Sequence, residues 1–147
     1  MIIRLQTEPF EPGALLTDFC RRRAETGAVV SFTGIARASG GETKQLELEA
    51  YLGFAEAQIG RIAEAAITRF SLLDVLIVHR VGLIAPGEAI VFVATASAHR
   101  REAFEAADHL MDYLKSRAPF WKKEHGPHGA RWIEPTARDI ADAARWD

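Results

Sequence analysis

Two apolar, β-branched runs, Val75 to Val81 and Ala89 to Ala96, flank a Pro86-Gly87 pair, and the second passes straight into a helical pattern. Short apolar runs bounded by turn residues read as buried strands, here joined by a Pro-Gly turn. Beyond Ser97 to His99 the apolar positions recur at helical spacing. Ala103, Phe104, Ala107, Leu110, Met111 and Leu114 form the expected inner face of a helix. Pro119 stops it, because the residue before a proline avoids helical angles. Strand, turn, strand and helix in this order commit the chain to a sheet with a helix laid on it.

The remaining elements extend that plan. Ile2, Ile3 and Leu5 suggest a short first strand, and Pro12 opens a helix with Leu15, Leu16 and Phe19 on its apolar face. Gly27 is the expected end of that helix, since glycine suits the left-handed position after a last turn. Ala28 to Thr33 reads as a buried strand, and residues 36 to 43, with Ser39-Gly40-Gly41, as a flexible loop. Leu46, Leu48 and Ala50 alternate with Gln45, Glu47 and Glu49, the pattern of a strand with one wet face. Ala55, Ile59, Ile62, Ala63, Ala66, Ile67 and Phe70 mark an amphipathic helix. Phe120 to His125 and Ala130 to Glu134 read as strands about a Gly126-Pro127-His128-Gly129 turn, and the last dozen residues as a short helix or a tail. With no internal repeat or linker, residues 1–147 are expected to form one α+β domain with helices on a mostly antiparallel or mixed sheet.

Composition narrows the function. Lys and Arg number 18 against 20 Asp and Glu, a net charge of -2, so no global field draws the chain to nucleic acid or an anionic membrane. An anion site must therefore be a local cluster. The single cysteine, Cys20, excludes an intrachain disulfide and, beside Leu16 and Phe19, is expected to be a buried thiol. The N-terminus lacks a signal peptide's apolar stretch, and no apolar run is long enough to span a bilayer. The expectation is a soluble cytoplasmic protein.

Three places concentrate cations. Ser97-Ala98-His99-Arg100-Arg101 stands where a strand gives way to a helix. A helix N-terminus is already partly positive, so His99, Arg100 and Arg101 fit there best if an anion such as phosphate binds too; the alternative is a solvated basic turn paired with Glu102 or Glu105. Lys115 lies on the last helical turn and Lys122 on the strand after the proline turn, a reversal that can bring both ammonium groups to one cleft. Alternation sets Phe120, Lys122 and Glu124 on one face, and Trp121, Lys123 and His125 on the other. Two neighbouring, partly desolvated lysines would have lowered pKa values and could move protons near neutrality; the alternative is that both merely suit the helix dipole and solvent. Arg37, between a strand and the Gly-rich loop, is the third, with a solvated loop arginine as its alternative reading. His79 and His109 fall inside elements and read as core or surface residues. No Walker loop or dinucleotide fingerprint occurs, and His125 and His128 lack a completing set of metal ligands.

Taken together, several of these segments resemble the molybdopterin synthase large (catalytic) subunit family. They are Val30-Ser31-Phe32-Thr33-Gly34 with Arg37; His79-Arg80-Val81-Gly82; Pro86-Gly87-Glu88; Ser97-Ala98-His99-Arg100; and Asp112 through Glu124, including Lys115-Ser-Arg-Ala-Pro-Phe-Trp-Lys122-Lys123-Glu124. The resemblance runs from about residue 28 to Trp132, with the motifs in family order. It implies an α/β-hammerhead fold with an additional small antiparallel β subdomain, and a homodimer at the centre of a heterotetramer. The outer subunits would be small ubiquitin-like sulfur carriers ending in a Gly-Gly thiocarboxylate. The reaction it implies converts cyclic pyranopterin monophosphate to molybdopterin by two sulfur transfers, with no metal or other cofactor. By motif position it implies Lys115 and Lys122 as catalytic residues. Arg37, His99, Arg100, Lys115, Lys122, Lys123 and Glu124 would bind substrate, with Glu124 orienting Lys122. Ile35 and Ala38 depart from residues found in some members, a lysine before Arg37 and an asparagine after it. Two rival readings are a noncatalytic adaptor for a ubiquitin-like tail and an RNA-binding module that stacks bases on Phe120 and Trp121, the latter weakened by the acidic balance.

Overall fold

The computed structural model describes residues 1–21, 23–38 and 45–147. In chain order the elements are β1 (Ile2–Gln6), α1 (Pro12–Cys20), β2 (Ala28–Ile35), β3 (Gln45–Glu49), α2 (Leu52–Phe70), β4 (Leu72–Arg80), β5 (Gly82–Ile84), β6 (Ala89–Ser97), α3 (Arg100–Ser116), β7 (Trp121–Gly126), β8 (Gly129–Ile133) and α4 (Ala137–Ala144). The first sheet has the order β1-β4-β6-β2, with β1 parallel to β4 and the other pairs antiparallel; the second has the order β5-β3-β7-β8. Every pair in the second sheet is antiparallel. The first sheet is thus mixed, and the second is the small added antiparallel unit.

The uninterrupted apolar runs of β4 and β6 arise because helices cover both faces of their sheet. Val75, Ile77, Val91 and Val93 pack against α2 and α3 through Ala55, Ile59, Ala63, Ala66, Ala106, Leu110 and Leu114. Their alternates Leu76, Val78, Phe92, Ala94 and Ala96 pack against Phe19 of α1 on the far side. Burying such side chains stabilises the fold by roughly 1.5–3 kcal/mol each. A third cluster, Leu48, Ile84 and Ala36 with Phe120 packed on it, joins the two sheets. Leu48 is 2 % exposed, whereas Gln45 and Glu49 are exposed, which is the one-faced burial the alternation of β3 predicts.

Several local expectations are corrected. α1 ends at Cys20, not at Gly27. The residues that follow are polar and offer no apolar face to bury, and Arg23 turns back over the Phe19 ring and pairs with Asp74. Gly27 serves a different purpose: its N–H donates to the Ser97 carbonyl, and an added Cβ would collide with the Ala98 carbonyl. Cys20 is exposed, since Phe19 alone of α1 is fully buried. Phe104 is 62 % exposed, because the inner stripe of α3 runs through Ala103, Ala106, Ala107, Leu110 and Leu114 and leaves Phe104 beside it. The connection between β4 and β6 is more than a turn. Gly82, at φ +82°, lets the chain leave the first sheet and form β5 in the second. Arg80, 4 % exposed, stitches this crossing by donating to Thr7 and Leu83 carbonyls and to the Glu88 carboxylate. The loop expected over residues 36–43 lies mostly outside the described residues; within it, the buried Ala36 donates its N–H to the Glu88 carbonyl.

The C-terminus is a helix. Thr136 and Asp139 form a reciprocal capping box, the side chain of each accepting from the other's backbone N–H. Trp146 packs edge-on against Phe70 and His109 and donates to Asp112, which Arg145 also engages at 2.6 Å. These contacts fasten α4 to α3 and place its first turn beside the end of β8.

Candidate functional site

A cavity of about 720 Å³ opens where the two sheets and the C-terminal ends of α3 and β8 meet. Lys115 reaches it from the last turn of α3, and Lys122 from β7 after the Pro119 reversal. Lys122 pairs with Leu48 on one side and Ile133 on the other, so its stem runs over apolar neighbours. Burial pushes its pKa below the usual lysine range; the charge of Lys115 adds to the depression, while Asp139 opposes it. The convergence of the two lysines expected from the sequence is therefore present. Alternation along β7 also holds: Phe120, Lys122 and Glu124 face the cavity. On the other face, Lys123 sits over the Trp132 ring at 4.8 Å and His125 pairs with Glu47 at 2.8 Å.

His79 was not expected here. It is 6 % exposed, lines the cavity, and stacks on Phe120 with ring centroids 4.3 Å apart. Its Nδ1 lies 2.8 Å from the Arg80 carbonyl oxygen. A carbonyl only accepts, so Nδ1 carries the proton and Nε2 the lone pair. Burial, helped by the nearby charges of Lys122 and Lys115 and opposed by that hydrogen bond, lowers its pKa to about 4. It is thus a neutral imidazole at physiological pH. Its parity on β4 is the sequence signal: Val75, Ile77 and His79 point the same way, and a histidine closing an apolar stripe marks where the core gives way to a cavity.

Four carboxylates line the cavity: Asp112, Glu124, Glu134 and Asp139. Glu124 accepts from Arg131 Nε at 3.2 Å. Asp139, supplied by α4, was also missed, although Thr136-Ala-Arg-Asp139 is a legible capping-box pattern. Burial raises the Asp139 pKa, but hydrogen bonds from Thr136 and the charges of Lys115 and Lys122 outweigh it and hold the carboxyl below its ordinary value.

Arg37 is exposed and lines the cavity at the end of β2. His99 and Arg100 do not line it. His99 is the N-cap of α3 and Arg100 its first residue, so they stand about 22 Å along the helix from Lys115. Both are exposed, and Arg101 rather than Arg100 pairs with Glu105, at 3.9 Å. Lys123 is turned away from the cavity. One chain thus brings together Arg37, Lys115, Lys122 and Glu124, with His79 and Asp139 added, and leaves His99, Arg100 and Lys123 elsewhere. Among the described residues no group of three or more His, Cys, Asp or Glu side chains is arranged to hold a metal ion. Among them also, no helix is long and apolar enough to cross a membrane.

A mixed sheet clad by helices, joined to a small antiparallel sheet at a cleft lined by two lysines, defines the class: a two-sheet α+β scaffold with a cationic cavity at the junction. The sequence pattern of the family described as MoaE protein matches residues 5–117. The molybdopterin synthase catalytic subunit of Caulobacter vibrioides is 71% identical over 147 residues, covering 100% of this chain and 98% of that one. A molybdopterin biosynthesis MoaE protein from Burkholderia ambifaria superposes with a TM-score of 0.83 at 42% identity, covering 98% of this chain and 96% of the other. A molybdopterin synthase crystal structure from Staphylococcus aureus does so with a TM-score of 0.80 at 31% identity, covering 88% and 95%. The chain belongs to the MoaE protein family. The α/β-hammerhead fold with its added antiparallel subdomain, expected from the resemblance, is borne out.

Proposed function

We propose that this chain is the catalytic subunit of a molybdopterin synthase. In this reading it is a cytoplasmic sulfurtransferase that takes sulfur from the C-terminal thiocarboxylate of a small ubiquitin-like partner and delivers it to cyclic pyranopterin monophosphate, forming the dithiolene. The observation that carries the reading is the Lys115–Lys122 pair in one cavity, in a chain so close to relatives named as this catalytic subunit. Both reactants are anionic, and the cavity supplies cations. Lys115 positions the thiocarboxylate and stabilises charge as its sulfur bonds to a side-chain carbon of the pyranopterin and an oxygen substituent of that carbon leaves with a proton. Lys122, its pKa lowered by burial, moves the proton as general acid or base. The resulting linkage to the partner is then hydrolysed, releasing the spent carrier.

His99 and Arg100 complete the substrate site from a second copy of the chain. A helix 17 residues long separates them from the cavity of their own protomer. In a two-fold dimer the same patch serves both sites, so each cavity receives the partner's cationic α3 start for the substrate phosphate. Arg37 lies on the substrate's approach, and the assembled enzyme is a homodimer flanked by two small subunits. The test is reconstitution: the chain, a thiocarboxylated partner and cyclic pyranopterin monophosphate are mixed and molybdopterin is measured. Stoichiometric molybdopterin supports the assignment; partner binding without product leaves the chain a noncatalytic adaptor.

A further inference from the structure

The lysine pair sits among several charged groups, and most of the carboxylates there are committed elsewhere. Asp112 accepts from Arg145 at 2.6 Å and from Trp146 at 2.7 Å. Glu124 accepts from Arg131 on β8. His79 is neutral and Arg37 is cationic, so neither offsets the mutual repulsion of Lys115 and Lys122. Glu134 is exposed at the rim. Asp139 differs from all of these. Its backbone is fixed by the first turn of α4, its Oδ2 accepts the Thr136 N–H at 3.0 Å, and its side chain lines the lysine cavity. The far end of α4 is anchored through Trp146 and Arg145 to α3, the helix that carries Lys115.

We propose that Asp139 is the positioning residue of this site: a counter-ion presented by the capping box of α4 that sets the protonation state of Lys122 and holds the two ammonium groups in one cleft. The charges of both lysines hold the Asp139 carboxyl down, and Asp139 in turn opposes the depression of Lys122. The capping box then has two uses, since one carboxylate both starts the helix and compensates the site. The role of Asp139 in turnover rests on the catalytic reading of Lys122; its electrostatic role does not.

The experiment follows Lys122 directly, in the full-length chain, by the pH dependence of its modification by an amine acylating reagent, read by mass spectrometry. Asp139→Asn keeps an oxygen acceptor for the Thr136 N–H but removes the charge. Its Lys122 midpoint falls by about one pH unit relative to wild type, as loss of a neighbouring opposite charge requires. Asp142→Asn, which removes one charge from the same helix, leaves the midpoint in place. Thr136→Ala, which weakens the cap but keeps the carboxylate, does so too. An unmoved midpoint in Asp139→Asn, or an equal fall in Thr136→Ala, overturns the proposal. In the reconstituted enzyme the pH profile of turnover moves to lower pH with the Lys122 midpoint. A moved midpoint with an unmoved profile upholds the electrostatic role of Asp139 and instead refutes Lys122 as the proton-transferring group.

Discussion

His79 makes the pH dependence of stability a test of how the site is built. Its pKa falls from an ordinary 6.5 to about 4 in the fold, chiefly because the ring is buried. In the unfolded chain it takes up a proton as pH drops through its ordinary value; in the folded chain it stays neutral until far lower. The stability it contributes is therefore fully present above pH 6.5 and is lost as pH falls towards 4. Over the window from about pH 7.5 to about pH 5 the loss from this one group is about 2 kcal/mol, at roughly 1.4 kcal/mol per pKa unit. Urea unfolding of wild type and His79→Gln at both ends of the window isolates it, because the depressed carboxylates Asp74, Glu88 and Asp139 and the second buried histidine, His109, are common to both proteins. Wild type loses about 2 kcal/mol more than His79→Gln over that window. Equal losses, or an imidazole that titrates near 6.5 by NMR in the folded protein, would refute the buried neutral ring.

Other outcomes follow from the same geometry. Lys122→Ala reduces molybdopterin formation by about 100-fold or more, the scale of a lost general acid–base group, while still binding the small partner; a change of only a few-fold would return Lys122 to the role of a solvated cation. Arg100→Ala weakens pyranopterin binding in a titration and leaves the melting temperature in place, since the side chain is exposed; unchanged affinity would remove it from the site. Mixing inactive Lys115→Ala and Arg100→Ala chains restores about a quarter of wild-type activity, because half of the randomly paired dimers then hold one intact composite site. No recovery on mixing would mean that His99 and Arg100 do not act across the dimer. Gly27→Ala drives a Cβ into the Ala98 carbonyl and costs about 1–3 kcal/mol in denaturant unfolding, whereas an unchanged midpoint would contradict that close approach.

Much of the fold was legible because burial on two faces writes itself into β4 and β6 as unbroken apolar runs, and burial on one face writes itself into β3 as alternation. The lysine pair was legible for a similar reason: a helix end, a proline and a strand are local, and strand parity separates Lys122 and Glu124 from Lys123. What was not legible depends on contacts distant in sequence. β5 exists because Gly82 and the buried Arg80 hand the chain from one sheet to the other, and nothing within Gly82–Ile84 announces a strand. Gly27 looked like a helix terminator, but its use is set by Ala98, far along the chain. Phe104 sits one position from a stripe of small alanines, and only the packing of α3 decides which side of that stripe faces in. His79 and Asp139 enter the site through tertiary placement, one at the end of a core strand and the other on a helix that docks from the C-terminus. That His99 and Arg100 open α3 while Lys115 closes it was, by contrast, legible from the helical pattern, and so was their separation within one chain.

Whether Lys115 takes part in the sulfur transfer is decided by a single-turnover reaction. Preformed thiocarboxylated partner is mixed with cyclic pyranopterin monophosphate and either wild type, Lys115→Ala or Lys115→Arg, and molybdopterin is followed in time. Both variants bind the partner, because that interface extends well beyond one side chain. Lys115→Ala forms almost no molybdopterin. Lys115→Arg does not recover it, since the guanidinium is larger and keeps its proton. Near-normal single-turnover product from the folded Lys115→Ala chain would remove Lys115 from the chemistry.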